Sequence, residues 1–228
     1  MLVLGIDTAT RHGGAALVDS AGVVGEIVIA PRGGHGRTLM SRIDFLLAWS
    51  GVGYSDIQGL AVSIGPGSFT GVRVGLSSAK GLSMGLGLSL AAVSGFDAMA
   101  RLAAWTDMPV WVVLDAKRGQ VFAAAYSKGG RERIQEPGVY EPNALGEIIR
   151  EKGEKVLVCG DGALRYGSLL AGIIGDLGIF IPGENNLQRP ASVAWIGRER
   201  LMEGVYDDPA SVVPMYLRGV DIRKNSAP

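Results

Sequence analysis

Gly65-Pro66-Gly67-Ser68 joins the apolar run Leu60–Ile64 to a helix that opens at Phe69. A glycine-rich strand-to-helix turn leaves backbone N–H groups at the positive end of a helix dipole, a setting suited to an anion. Ser68 stands where a nucleophile could, yet G-P-G-S-F-T-G places Pro66 at the first glycine of a G-x-S-x-G elbow, so Ser68 reads as a helix cap. Metal chemistry has little to draw on. His12 and His35 are the only histidines, Leu39 stands four residues after His35, and the single Cys159 ends the apolar run Val156–Val158. That pattern argues against a zinc site and a disulfide framework and leaves a buried thiol. No G-x-x-x-x-G-K-[ST] occurs, which removes the P-loop class.

Two aspartates close apolar runs in matching contexts. Leu2–Asp7 is followed by a polar, glycine-bearing turn and the returning run Ala15–Val18; Val110–Leu114 with Asp115 is followed by a second such turn and Val121–Tyr126. Val23–Ile29 completes the first group as an antiparallel meander. The repetition predicts two related lobes. Between them run a helix from about Arg37 to Ser50, the helix from Phe69, the strand Leu88–Val93 and a helix from Ser94 through Trp105. The second block adds a helix capped by Asn143, the strands Lys155–Cys159 and Gly178–Ile181 with a helix between them, a helix over Ser192–Met202 and an extended Val212–Arg218. The alternation is that of an α/β chain in two lobes, the second smaller.

Two helices carry unusual faces. Leu39, Ile43, Leu46 and Leu47 form a core stripe that Met40, Phe45 and Trp49 widen beyond what one surface buries, so a second surface is expected there. In the helix from Phe69, Gly71, Gly75, Ser78 and Ala79 share a face that admits close packing on the sheet, with Val72, Leu76 and Lys80 expected on the opposite side for a partner.

Composition bounds the partners. Hydrophobic residues make up 47% and charged residues 19% of 228, a folded chain, and 22 basic residues balance 22 acidic ones, which disfavours autonomous binding to nucleic acid. Glycine interrupts every apolar stretch before 18 residues, and LVLGID lacks the features of a signal peptide, so a cytoplasmic location without membrane contact is expected.

Paired aspartate-ended hairpins resemble those with which actin-like ATPases and sugar kinases hold phosphates and magnesium. Asp7, Thr8 and Asp115 occupy the corresponding places, although Thr8-Ala9 stand where that superfamily usually has a glycine, which weakens a nucleotide site. LGIDTAT, His35 ahead of an apolar helix, GPGSFTGVRVGLSSAKGL, LDAKRGQVFAAAY and the final PMYLR together resemble the bacterial TsaB (YeaZ) family over nearly the whole chain. The resemblance implies a two-lobed actin-like fold with a reduced second lobe: residues 1–107, with 191–222 packing back on them, the smaller lobe 108–190, and a flexible tail 223–228.

It further implies a non-catalytic subunit without cofactor, metal or catalytic residue. Such a subunit supports TsaD and the ATPase TsaE in transferring threonylcarbamoyl to the adenosine beside the tRNA anticodon, and meets tRNA only indirectly. TsaD would dock on the first two helices, at Arg37, Met40, Asp44, Phe69, Val72, Arg73, Leu76 and Lys80, where a homodimer could also form. The rival expectation is an enzyme of the same superfamily, a small-molecule kinase leaning on Asp7 and Asp115 or a metallopeptidase.

Overall fold

A computed structural model describes residues 1–217. Arg218 of the expected extended segment, the remainder of the stretch to residue 222 and the tail 223–228 lie outside the described residues. The chain opens with β1 (Val3–Asp7), β2 (Gly13–Val18) and β3 (Val23–Ile29), paired antiparallel in sequence order. A 3-10 turn at His35–Arg37 leads into α1 (Leu39–Trp49). Then β4 (Gly59–Ser63), α2 (Phe69–Leu86) and β5 (Leu90–Val93) add two parallel strands on the far side of β1, giving the order β3-β2-β1-β4-β5.

After α3 (Gly95–Arg101) the plan repeats. The meander β6 (Val110–Lys117), β7 (Gln120–Tyr126) and β8 (Arg133–Tyr140) is followed by α4 (Pro142–Glu151), β9 (Val156–Cys159), α5 (Asp161–Ile174) and β10 (Gly178–Phe180). The second sheet runs β10-β9-β6-β7-β8, the same topology as the first. The two aspartate-ended hairpins are thus corresponding parts of two copies of one unit. α6 (Pro190–Met202) closes the series.

Strands β1 and β4 are buried along their whole length because both faces of the first sheet are covered. On one face Leu4, Ile6, Leu60 and Val62 pack with Leu39, Ile43 and Leu46 of α1 and with Leu76 and Ala79 of α2. On the other, Val3, Ala61 and Val93 meet Val193 of α6 and Ala98 of α3. The last helix of each unit crosses over. α6 lies across β1, β2, β4 and β5, while α3 buries Phe96, Met99 and Ala100 against Val110, Val112 and Ala124 of the second sheet. The remaining face of that sheet receives Leu145 and Ile149 of α4 and Leu170 and Ile174 of α5.

Three local expectations change. α3 stops at Arg101 rather than reaching Trp105, because the amides of Ala103, Ala104 and Thr106 bond back three residues and tighten the chain into turns. α4 is preceded by Glu141 with Pro142 in its first turn, so Asn143 is inside the helix. β8 was not expected, since Pro137 and Gly138 interrupt its pattern; it lies at a sheet edge, where proline is tolerated. Among the described residues no helix is long and apolar enough to cross a membrane.

Candidate functional site

The turn after β1 is closed by α2. Ser68 caps that helix, accepting from the Gly71 amide at 3.3 Å, while its own amide donates to Ala9 O at 2.7 Å. Thr8, 1% exposed, donates its hydroxyl to Gly71 O at 2.7 Å. A Cβ at Gly71 would collide with Thr8 O, and one at Gly75 would sit 2.5 Å from Thr8 Oγ1, so only glycine lets the helix come this near the turn. The backbone that might have cradled a phosphate is occupied by a helix of the same chain.

Asp7 lies beneath this seal, fully buried. Its Oδ1 accepts from the Ala9 amide at 2.9 Å, and Oδ2 has no hydrogen-bond partner. Burial pushes its carboxyl up to about 6; the Ala9 amide and the nearby Ser63 hydroxyl offset only part of this, and no bond reaches Oδ2.

His35 is equally committed. Its Nε2 donates to Thr10 O at 2.9 Å, and Nδ1 faces Arg42 Nη1 at 3.5 Å. Arg42 also donates to Gly13 O at 2.9 Å and Thr38 Oγ1 at 2.5 Å, tying α1 to the β1–β2 hairpin. Burial, followed by the cationic Arg42, holds the His35 imidazole below its ordinary range despite the Thr10 carbonyl. Among the described residues no cluster of three His, Cys, Asp or Glu could hold a metal ion. Burial also pushes the Cys159 thiol up to about 12.

Asp115 stands at the end of the second hairpin, where its carboxylate accepts from Lys117 Nζ at 2.7 Å and Arg165 at 3.1 Å. Burial alone would raise it, but these partners hold it below the usual carboxylate range. It borders an interlobe cavity of about 580 Å³, walled by Gly67–Phe69, Val72, residues Asp115–Arg118, Phe122 and the segment Pro214–Leu217. Asp7 does not line that cavity. The two aspartates and Thr8 therefore do not converge on one open site.

The outward faces of α1 and α2 tell the opposite story. Trp49 is 79% exposed, Met84 76% and Phe45 52%; Met40 and Phe69 are also uncovered, and the Phe45 and Trp49 rings lie 5.1 Å apart. Thr70, Arg73, Ser77, Gly81 and Gly85 continue an exposed, mostly small-residue surface along α2, with open space where Cβ atoms of Gly81 and Gly85 would point. Arg37 and Asp44 are exposed, Asp44 accepting from Tyr54 Oη at 2.8 Å, and Lys80 is half-buried.

Val72 and Leu76 differ from expectation. Both are 4% exposed and face inward with Gly71, Gly75 and Ala79. Successive helical residues are about 100° apart, so their row adjoins the glycine row instead of opposing it. The outward row is Thr70, Arg73, Ser77, Gly81 and Met84. Two features escaped sequence reasoning: Arg42, a charge inside the apolar arc of α1, and the Tyr216 ring, which reaches Phe69 and Arg73 on α2. The position of Arg42 among Leu39, Ile43 and Leu46 was the available signal for the first.

Comparison with known proteins gives the family. The family model for TsaD, tRNA N6-adenosine threonylcarbamoyltransferase, matches residues 18–154. The chain is 37% identical over 165 residues to the tRNA threonylcarbamoyladenosine biosynthesis protein TsaB of Escherichia coli, covering 69% of this chain and 71% of that protein. It is 29% identical over 221 residues to TsaB of Bacillus subtilis, covering 96% and 94%. Among solved structures, a Pseudomonas aeruginosa protein with similarity to the peptidase YeaZ superposes with a TM-score of 0.81 at 21% identity, over 95% of this chain and 99% of that one. The ROK hexokinase of Thermus thermophilus superposes at 0.50 with 13% identity, over 90% and 100%, which places the two-sheet architecture among actin-like and sugar-kinase folds. The chain belongs to the TsaB (YeaZ) family.

Proposed function

We propose that this chain is the non-catalytic interaction subunit of tRNA threonylcarbamoyladenosine modification, supporting a TsaD-type transferase. Its relatives are named for biosynthesis of that nucleoside, and the matching family model is that of the transferase. The observation that carries the reading is the uncovered apolar and small-residue face of α1 and α2, set against a first hairpin whose Asp7 and Thr8 are buried and to which His35 bonds from the turn before α1. An interface core is apolar and poor in charge, and glycine and serine on α2 let a second helix approach closely.

TsaD docks on this face in our reading, with TsaE joining the larger assembly and tRNA held by the partner in the cytoplasm. A second copy of this chain competes for the same face. Co-elution of the chain with its cognate TsaD tests the docking surface. Trp49→Asp, at a position 79% exposed and packed only against the likewise exposed Phe45 ring, should abolish co-elution while leaving the fold intact. Undiminished co-elution of that folded variant would overturn the assigned face.

A further inference from the structure

We propose that Arg73 is a preorganised clamp for one carboxylate, an Asp or Glu side chain of the docking partner, held in place by Phe69 and Tyr216. The inference rests on the docking reading above and adds the charged contact that would set its register. Arg73 is exposed on the outward row of α2, yet its guanidinium is fixed. Its carbon lies 3.7 Å above the Phe69 ring centroid and 5.9 Å from that of Tyr216, and Nε donates to Tyr216 Oη at 2.9 Å. With Nε used this way, the two terminal nitrogens make up the fork that matches a carboxylate. Among the described residues no acid of this chain pairs with Arg73.

Tyr216 is itself held. The Met215 amide donates to Ile64 O at 2.8 Å, Val212 packs into the first core, and Met215 and Leu217 pack into the second. The segment after α6 therefore spans both lobes and delivers one phenol to α2. An arginine immobilised before binding loses less side-chain entropy on binding than a free one. The other members of its row, Thr70, Ser77, Gly81 and Met84, are uncharged, so a partner helix lying along α2 meets one cation there. A single guanidinium in a row of small and apolar residues on α2 fits a helix carrying one acid at that place, where the pair fixes register more than it adds affinity.

Calorimetry with the cognate TsaD at low and high salt tests the clamp, each variant first checked by thermal melting. Arg73→Gln should weaken association about tenfold to a hundredfold and flatten its salt dependence. Arg73→Lys, which restores charge without the fork, should remain weakened severalfold, and Tyr216→Phe should weaken binding less while keeping the salt slope. Unchanged affinity of Arg73→Gln, or weakened affinity with an unaltered salt slope, would overturn the clamp. If Trp49→Asp fails to bind in the same series, the docking face stands without it; if Trp49→Asp also binds as wild type, the docking reading itself falls.

Discussion

Replacing Asp7 with asparagine should stabilise this protein at neutral pH and leave its function untouched. The carboxyl is fully buried, accepts one backbone amide, has one unpartnered oxygen, and titrates near 6 instead of 3.8. A difference of roughly two pKa units at about 1.4 kcal/mol each corresponds to about 3 kcal/mol of cost for keeping the charge inside the fold. The folded state binds the proton more tightly than the unfolded chain, so between 3.8 and about 6 it carries more protons and stability falls as pH rises through that window. Above about pH 7 the penalty is constant.

The asparagine amide brings its own unsatisfied groups, but their cost does not depend on pH. The informative quantity is therefore the change in the mutational effect with pH. The effect of Asp7→Asn on urea-unfolding free energy should become more favourable by about 2 kcal/mol between about pH 4 and pH 7.5. A mutational effect that stays the same at both pH values would refute the reasoning. A catalytic Asp7 would make the opposite functional prediction, since a nucleotide-dependent reaction that used its charge would lose its rate in the variant.

Other consequences follow from the packing. Leu76→Asp places a charge in the first core and should unfold the protein or cost more than about 3 kcal/mol, whereas Met84→Asp on the outward row should change stability by less than about 0.5 kcal/mol; thermal melts separate the two. Gly75→Val drives a side chain into Thr8 Oγ1 and should destabilise by at least about 2 kcal/mol in denaturant titration, while Gly81→Ala, with open space at Cβ, should stabilise by up to about 1 kcal/mol. Cys159, buried and with its thiol pushed up to about 12, should resist thiol reagents in the native state and react at once on unfolding.

The sequence made the architecture legible wherever apolar period and turn chemistry agreed. The hairpin Leu2–Asp7 with Ala15–Val18, its echo at Val110–Leu114 with Val121–Tyr126, and the cap at Ser68 all follow from local signals. Rotation about the axis of α2 did not. Glycine and serine occur on both its inward and outward rows, Gly71 and Gly75 against Thr8, Gly81 and Gly85 toward open space, so residue size could not say which row faces the sheet. The seal over Asp7 depends on a contact between residues more than sixty positions apart, Thr8 with Gly71, and no local pattern encodes it. β8 stayed hidden because Pro137 and Gly138 mask strand propensity that pairing with β7 supplies. The Arg73 sandwich needed the segment near Tyr216 to return across both lobes.

In the function proposed above the chain contributes binding and no chemistry. The most direct test is reconstituted threonylcarbamoyl transfer to tRNA with TsaD, TsaE and the activated donor, measured without this protein, with wild type, with Asp7→Asn and with Trp49→Asp. Omission and Trp49→Asp should both depress modification, while Asp7→Asn should support it at the wild-type level. Full modification without the protein, or loss of modification in a folded Asp7→Asn variant that still binds TsaD, would contradict that function.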